Sequence, residues 1–134
     1  MKTKYILLIL ATQSLLISNS FADETYTASS NNACKLHNQF PLPNETLDYF
    51  GECKDGYANG KAKVNWLKDG KLHQVSEGNF VHGKLEGECK IQVIGSKQNF
   101  SGTCANDLPI KGQYVDAEGI IFNGEFKNGK PLKP

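Results

Sequence analysis

Three kinds of side chain in this sequence could do chemistry: histidines, a close pair of carboxylates, and cysteines. The histidines His37, His73 and His82 are scattered along the chain, and His82 precedes a glycine in a predicted tight turn. A metal centre or a general base needs several ligating or titratable groups brought together. Because no spacing here does so, we expect solvated histidines on turns or strands, with no metal and no cofactor.

The carboxylates Glu86 and Glu88 lie two residues apart in an alternating stretch, so on a strand they share one face. A glycosidase uses two such groups, but a solvated strand face is the simpler interpretation. No serine has the Gly-x-Ser-x-Gly setting of a nucleophile elbow. The sequence therefore predicts a protein with no catalytic residues.

Residues 1–22 have the pattern of a secretory signal peptide. Lys2 and Lys4 precede an apolar run that is shorter than the ~20 residues a membrane helix needs. Ser20-Phe21-Ala22 then matches a signal-peptide cleavage site, in which a small residue stands on each side of a third residue. We expect a soluble mature chain, periplasmic or secreted, that begins near Asp23; the alternative is a membrane anchor.

Charge excludes one large class of partner. Removing the signal peptide leaves 13 lysines against 14 acidic residues, a net charge of −1, and the chain has no arginine. Arginine supplies the forked donor that reads guanine edges and clamps phosphates. We therefore predict no binding to nucleic acid.

Four cysteines in an exported chain favour a disulfide framework over a metal site. From Glu86 to Val93, polar and apolar residues alternate as in a half-buried strand. If the chain reverses at Ser96-Lys97, Cys89 lies opposite Cys104, at disulfide distance. That pairing leaves Cys34 to bond with Cys53.

The rest of the chain repeats one unit four times, on glycines at 51, 78, 102 and 124, which are 27, 24 and 22 residues apart. Each unit predicts a strand, a tight turn such as Asp55-Gly56 and, except in the last copy, a returning strand. The residues two before and two after each glycine share its strand face and are mostly apolar. The residues between them are mostly polar and share the other face. A glycine there leaves a gap, which we expect an aromatic ring from the next hairpin to fill.

This pattern resembles the MORN repeat, Tyr-x-Gly-x-aromatic-x-x-Gly-x-x-x-Gly-x-Gly. The stretches Gly51–Gly60 and Gly78–Gly87 match it well, whereas the third copy has Asp107 in place of the turn glycine, and Cys53 and Cys104 occupy the aromatic position. The resemblance implies an all-β fold in which antiparallel β-hairpin repeats form one elongated, twisted and curved sheet. MORN sheets serve as scaffolds and binding surfaces for proteins and sometimes for membrane lipids, and bacterial relatives are often assigned as antitoxins or immunity proteins.

The predicted organisation has four parts. A signal peptide occupies residues 1–22, a flexible segment 23–33, an irregular disulfide-pinned segment 34–48, and the repeat domain 49–132. No amphipathic helical stretch follows the signal peptide.

A stripe of aromatic residues raises two alternatives. It either packs on itself through curvature, helped by the irregular segment, or stays partly open as a docking groove for another protein. The predicted partner-binding residues are Tyr49, Trp66, Tyr114 and Phe122, and on this hypothesis Trp66→Ala weakens binding but leaves the fold intact. The leading partner is a toxic effector that the protein neutralises in the cell envelope. The alternative is a structural envelope protein that contacts membrane lipids or self-associates.

Overall fold

The structure, a computed structural model, describes residues 25–132; the predicted signal peptide lies outside them. All regular structure in this range is β, which confirms the predicted all-β class, and no helix here is long and apolar enough to cross a membrane. The strands are β1 (Tyr26–Ala28), β2 (Lys35–His37), β3 (Glu45–Lys54), β4 (Tyr57–Lys68), β5 (Lys71–Val81), β6 (Lys84–Val93), β7 (Asn99–Ala105), β8 (Leu108–Val115), β9 (Ile121–Lys127) and β10 (Lys130–Pro131).

These strands form one strongly curled, open sheet. From β3 to β10 each strand pairs antiparallel with the next one along the chain. The β1–β2 hairpin joins through a single parallel contact between Lys35 and Tyr57, which makes the sheet mixed.

Five of the connections are two-residue turns in which both residues have positive φ. Such turns match the right-handed twist of the strands that they join, and they favour glycine, asparagine and aspartate. The turns are Asp55-Gly56, Asp69-Gly70, His82-Gly83, Asn106-Asp107 and Asn128-Gly129.

A ring from the same hairpin fills the gap at Gly51, Gly102 and Gly112, whereas the sequence predicted a ring from the next hairpin. At Gly102 and Gly112, which pair across β7 and β8, an added Cβ would lie 3.0 Å from Cζ of Phe100. Phe100 precedes Gly102 by two residues on the same strand, so the ring comes from the glycine's own hairpin and not from the next one. Tyr49 covers Gly51 in the same way, with its hydroxyl 2.8 Å from the position of an added Cβ. Residues i and i+2 share a face, so a large side chain can lean along the strand over the missing one.

The second repeat fills the gap with a different side chain. Here Ser76 replaces the aromatic residue two positions before Gly78. Leu85 from the returning strand takes its place, with Cδ2 2.9 Å from where a Cβ on Gly78 would lie. The gap is thus closed within the hairpin whichever strand supplies the side chain.

Bulges add to the curl of the sheet. The pairing of β3 with β4 shifts between Phe50 and Glu52, and that of β5 with β6 shifts between Gly78 and Phe80. The returning strands carry Gly60 and Gly87 there, with φ of 87° and 95°. At each bulge three residues of the returning strand lie opposite one residue of the first strand, and such extra residues increase the local twist. The first two repeats bulge within one residue of the equivalent position.

The segment before the repeats is more ordered than the sequence predicts. Part of the expected flexible stretch forms β1, and the expected irregular stretch contains β2 and the start of β3. The amide of Asn31 donates to Tyr49 O (2.8 Å) and accepts from Tyr49 N (3.0 Å), while Ser30 N donates to Leu47 O (2.7 Å). These bonds occupy the outer edge of β3, which a bare sheet would leave unpaired.

One apolar cluster forms the core on the inner face of the curl. It combines residues of the N-terminal segment with rings and aliphatic side chains from β3 to β9, as the self-packing alternative predicts. Its buried members are Cys34, Leu36, Leu47, Tyr49, Ala58, Val64, Trp66, Phe80, Leu85, Cys89, Phe100, Cys104 and Phe126.

Both predicted disulfides are present, Cys34–Cys53 and Cys89–Cys104, each with Cα atoms 5.9 Å apart. The predicted register of the second pair is wrong: Cys89 lies opposite Gly102, and Cys104 lies opposite Gly87. The reversal occurs earlier than Ser96-Lys97, because Val93 N donates to Gln98 O (3.1 Å) across a five-residue loop. The bridge therefore joins diagonal neighbours.

We expect Gly102→Ala to lower the free energy of unfolding by about 3 kcal/mol, because its Cβ would clash with Lys111 O and lie 2.7 Å from Gly112 Cα. Gly87→Ala is the matched control, since no atom lies within 4 Å and only the left-handed φ of 95° is strained. That strain costs about 1 kcal/mol. Urea titrations measure both, and equal losses would contradict the close-approach argument.

Candidate functional site

The N-terminal segment and the inner face of the sheet enclose a cleft of about 370 Å³, which we call the concave cleft. Residues 36–42 form one wall, and strands β4 to β6 form the other. Two histidines and two carboxylates lie among its lining residues, namely His37, Glu45, His73 and Asp107. Its apolar lining includes Leu36, Trp66, Phe80, Leu85, Ile91 and Leu108.

Glu45, the first residue of β3, ties one wall of the cleft to the other. Its side chain is 7% exposed, and Oε2 lies 2.9 Å from Nε2 of His73 on β5. Its Oε1 accepts from Asn38 Nδ2 (3.0 Å) and from Leu42 N (3.3 Å). One carboxylate thus fixes the backbone of the loop between β2 and β3 against the sheet.

Asp107 has a similar role at the other side of the cleft. Its Oδ1 accepts from Leu85 N (2.8 Å), and its Oδ2 lies 2.6 Å from Nδ1 of His37 on β2. The neighbouring Asn106 N donates to Glu86 Oε2 (2.9 Å), so Glu86 is not simply a solvated residue. The turn Asn106-Asp107 is thereby fastened to β6, and β2 is fastened to the turn.

Two features of Asp107 are costly and need compensation. Its φ is 72°, at a turn position that glycine fills in the other two-residue turns. Burial raises the pKa of Asp107, while hydrogen bonds from Leu85 N and the His37 ring, together with the charges of His37 and Lys84, act in the opposite direction. Strained, desolvated residues persist where their surroundings fix them, and they concentrate at functional sites.

Two of the three histidines are not solvated, contrary to the prediction from the sequence. His37 and His73 have side chains only 10% and 31% exposed, and each binds a carboxylate. Only His82 is exposed; it stacks on Tyr57 at the His82-Gly83 turn, with ring centroids 3.7 Å apart. Among residues 25–132, no three metal-ligating side chains come together.

The most exposed aromatic side chain within residues 25–132 lies at the mouth of the concave cleft. Phe40 is 75% exposed and Leu42 is 42% exposed, in the loop Phe40-Pro41-Leu42-Pro43. The bond from Leu42 N to Glu45 holds this loop, so the apolar side chains project from a fixed backbone. The sequence predicted only an irregular segment here and gave no sign that Phe40 and Leu42 would be exposed beside a cleft.

Of the four predicted partner-binding residues, two are inaccessible. Tyr49 is 1% exposed and donates its hydroxyl to Glu52 O (2.6 Å), and Trp66 is 9% exposed. Trp66→Ala would therefore open a hole in the core, and the expectation that it leaves the fold intact is wrong. Tyr114 and Phe122 are half-buried beside Phe126, and neither lines the concave cleft.

Two other depressions lie on the described part of the chain. One of about 360 Å³ continues the inner face beside Phe100, Tyr114 and Phe126. The other, of about 670 Å³, lies on the opposite face around Gly78 and is lined mainly by charged and hydroxyl side chains; we call it the polar-face groove. Of these three depressions within residues 25–132, the concave cleft alone brings paired ionisable groups, an apolar interior and an exposed apolar rim together.

Comparison with known proteins gives no relative: no protein-family model matches the chain, and no curated protein matches it. The likeness to MORN repeats therefore remains an interpretation of the sequence pattern.

The raised pKa of Asp107 makes stability depend on pH. Because the native state holds this proton more tightly than the unfolded state, the contribution of Asp107 is most favourable below its usual value of 3.8 and declines as pH rises through the native value. Asp107→Asn cannot titrate, and asparagine tolerates the same φ. We expect the stability of this variant relative to wild type to increase from pH 3 to pH 7.

Urea denaturation at the two pH values measures the difference. Repeating the comparison in a His37→Gln background removes titration of the neighbouring imidazole, and the same sign is expected there. A difference in stability that stays constant, or that shifts towards wild type between pH 3 and pH 7, would show that burial does not control this carboxyl group.

Proposed function

We propose that this protein is an exported, non-catalytic protein-binding module whose docking site is the concave cleft with its Phe40–Leu42 rim. One observation carries the proposal: Phe40 and Leu42 are exposed at the mouth of an apolar cleft, on a loop whose backbone Glu45 holds in place. Exposed apolar side chains on a preorganised surface are typical of binding hot spots. Because the loop is fixed beforehand, little ordering entropy opposes binding.

The ionisable groups of the cleft support binding over catalysis. Glu45 and Asp107 hold neighbouring segments together, and His37 and His73 are their partners in this task. The two disulfides are consistent with an oxidising compartment outside the cytoplasm, where the N-terminal pattern would direct the chain.

Within this class, the leading role is neutralisation of a toxic effector in the cell envelope. Support comes from the likeness to bacterial MORN-type immunity proteins and from the small size of the chain. A structural protein that contacts envelope lipids or assembles with itself is the alternative.

The experiment places a photo-crosslinking amino acid, p-benzoylphenylalanine, at position 40, in cells that contain the natural envelope. Position 50 is the matched control, because Phe50 is also an exposed aromatic residue (50%) but lines the polar-face groove. We expect position 40 to crosslink one protein at its own defined peptide, with no such product from position 50.

The crosslinked protein, once identified and purified, is titrated against wild type and the double variant Phe40→Ser/Leu42→Ser. We expect a 1:1 complex that the double variant weakens by about 100-fold, since hot-spot side chains cost about 1 to 2 kcal/mol each on truncation. Phe50→Ser should bind as wild type does. If both variants bind equally well, the docking site is wrong; if liposomes and not a protein bind through position 40, the structural alternative replaces the proposal.

A further inference from the structure

We infer that the protein forms a symmetric dimer in which one side of β9 pairs antiparallel with the same side of β9 in a second copy. We call this side of residues 121–124 the β9 edge. None of these residues lines the concave cleft. The inference therefore concerns a second surface and does not depend on the proposed function.

The described sheet leaves one side of β9 largely unpaired. On its inner side, residues 121–125 pair with β8. On its outer side, β10 pairs only with Phe126 and Lys127, and Leu132 N donates to Glu125 O (2.8 Å). Within residues 25–132, no strand pairs with the outer side of residues 121–124.

The bond at Glu125 shows which backbone groups point outward. In an antiparallel ladder, successive residues direct their N–H and C=O groups to opposite sides, so every second residue faces the same neighbour. Because Glu125 O faces Leu132, the N–H and C=O groups of Asn123 and Ile121 also face outward. The β9 edge thus presents two donors and two acceptors that have no partner in the described part of the chain.

The β9 edge also lacks the features that normally keep a strand edge from pairing. Proteins protect such edges with charged side chains, proline, bulges, short strands or a covering segment. The stretch Gly119–Gly124 contains no charged residue and no proline, and Ile120 and Ile121 are 62% and 58% exposed. The opposite end of the described sheet is protected, because Asn31 and Ser30 bond along the outer side of β3 and β1 has only three residues.

A second copy fits the β9 edge because this edge is complementary to itself. Suppose that two such edges run antiparallel with Phe122 of each copy opposite Phe122 of the other. Ile121 of one copy then lies opposite Asn123 of the other, and both residues face outward. Each of these two pairs exchanges two N–H···O bonds, so all four exposed backbone groups of each copy are satisfied. No two charged side chains become opposed along this stretch.

The same register extends the apolar inner face from one copy to the other. Phe122 packs against the core and lies beside Phe126, with ring centroids 5.5 Å apart. Side chains of a directly opposed, non-hydrogen-bonded pair lie closest, so the two Phe122 rings meet. Ile120 comes opposite Gly124 of the other copy, next to its Leu132, which is 45% exposed. The contact thus covers apolar side chains that each copy alone leaves exposed.

The geometry favours a closed pair of copies over the strand of another protein. Any extended peptide could bond to the exposed backbone groups. Only a second copy also brings a ring to Phe122 and uses its own unpaired edge in the same contact. A contact between identical surfaces closes at two copies, and the protected end of the described sheet gives no site for further growth. A closed dimer differs in this respect from the open self-assembly of the structural alternative.

Sedimentation velocity of the mature chain, with both disulfides intact, measures the assembly directly. We expect a monomer–dimer equilibrium with a dissociation constant in the micromolar range, because a strand-edge contact buries less surface than a standard interface. Amide hydrogen exchange then locates the contact. The N–H groups of Ile121 and Asn123 should exchange slowly at high protein concentration and rapidly at low concentration.

Proline at position 123 tests the backbone pairing. Asn123→Pro removes an outward donor and places a ring where the second strand would lie, but it removes no bond to β8. We expect it to weaken dimerisation by about tenfold or more. Asn123→Thr is the matched control, because it keeps the N–H group and favours a strand, and it should dimerise as wild type does. Urea denaturation checks that both variants fold.

A second variant tests the same edge without proline. Ile121→Lys places a charge on the β9 edge, as natural edges do, and we expect a similar loss of dimerisation. Its control, Ile110→Lys, changes an exposed isoleucine (41%) of β8, a strand that is paired on both sides. This control should leave the dimer intact.

Three results would each overturn the inference: a monomer at every concentration up to the millimolar range, a dimer that survives both Asn123→Pro and Ile121→Lys, or growth beyond two copies. In cells, p-benzoylphenylalanine at position 121 should crosslink two copies of the chain. A crosslink to a different protein there, with none between copies, would also overturn the inference. The proposed function is tested at position 40 and stands or fails separately.

Discussion

A single sheet with one apolar face has no second layer to cover it, and this constraint governs the whole molecule. The sheet solves it by curling, and the curl depends on glycines that let a side chain of the same hairpin lie flat on the inner face. Phe100 over Gly102 and Gly112 is the clearest case, and Leu85 over Gly78 shows that an aliphatic side chain can serve. Bulges in the first two hairpins add to the twist of the sheet.

Curling leaves the inner face open at one end, and the N-terminal segment closes part of it. Leu36 and Leu47 enter the common core, and the Cys34–Cys53 disulfide joins the segment to β3. Contacts from Glu45 and Asp107 fasten the segment to the sheet, and the concave cleft lies between them.

Local patterns allowed the sequence to predict the all-β class, the tight turns and both disulfide partners. The sequence did not predict the features that depend on contacts between distant parts of the chain. The register at Cys89 shifted by two residues because a five-residue loop, and not a tight turn, reverses the chain. The pairing of His37 with Asp107 spans 70 residues, and its only local sign was an aspartate where the repeat has a turn glycine. Trp66 fits the repeat pattern equally well whether covered or open, so its burial required the three-dimensional structure.

The most direct measurement of the central claim is the position of the Phe100 ring in solution by NMR. If glycines admit a ring from their own hairpin, the α protons of Gly102 and Gly112 lie under that ring, and we expect them to be shifted upfield, with nuclear Overhauser contacts to the Phe100 ring protons. Glycine α protons at ordinary shifts, with contacts from those glycines to a ring of the following hairpin, would contradict the account.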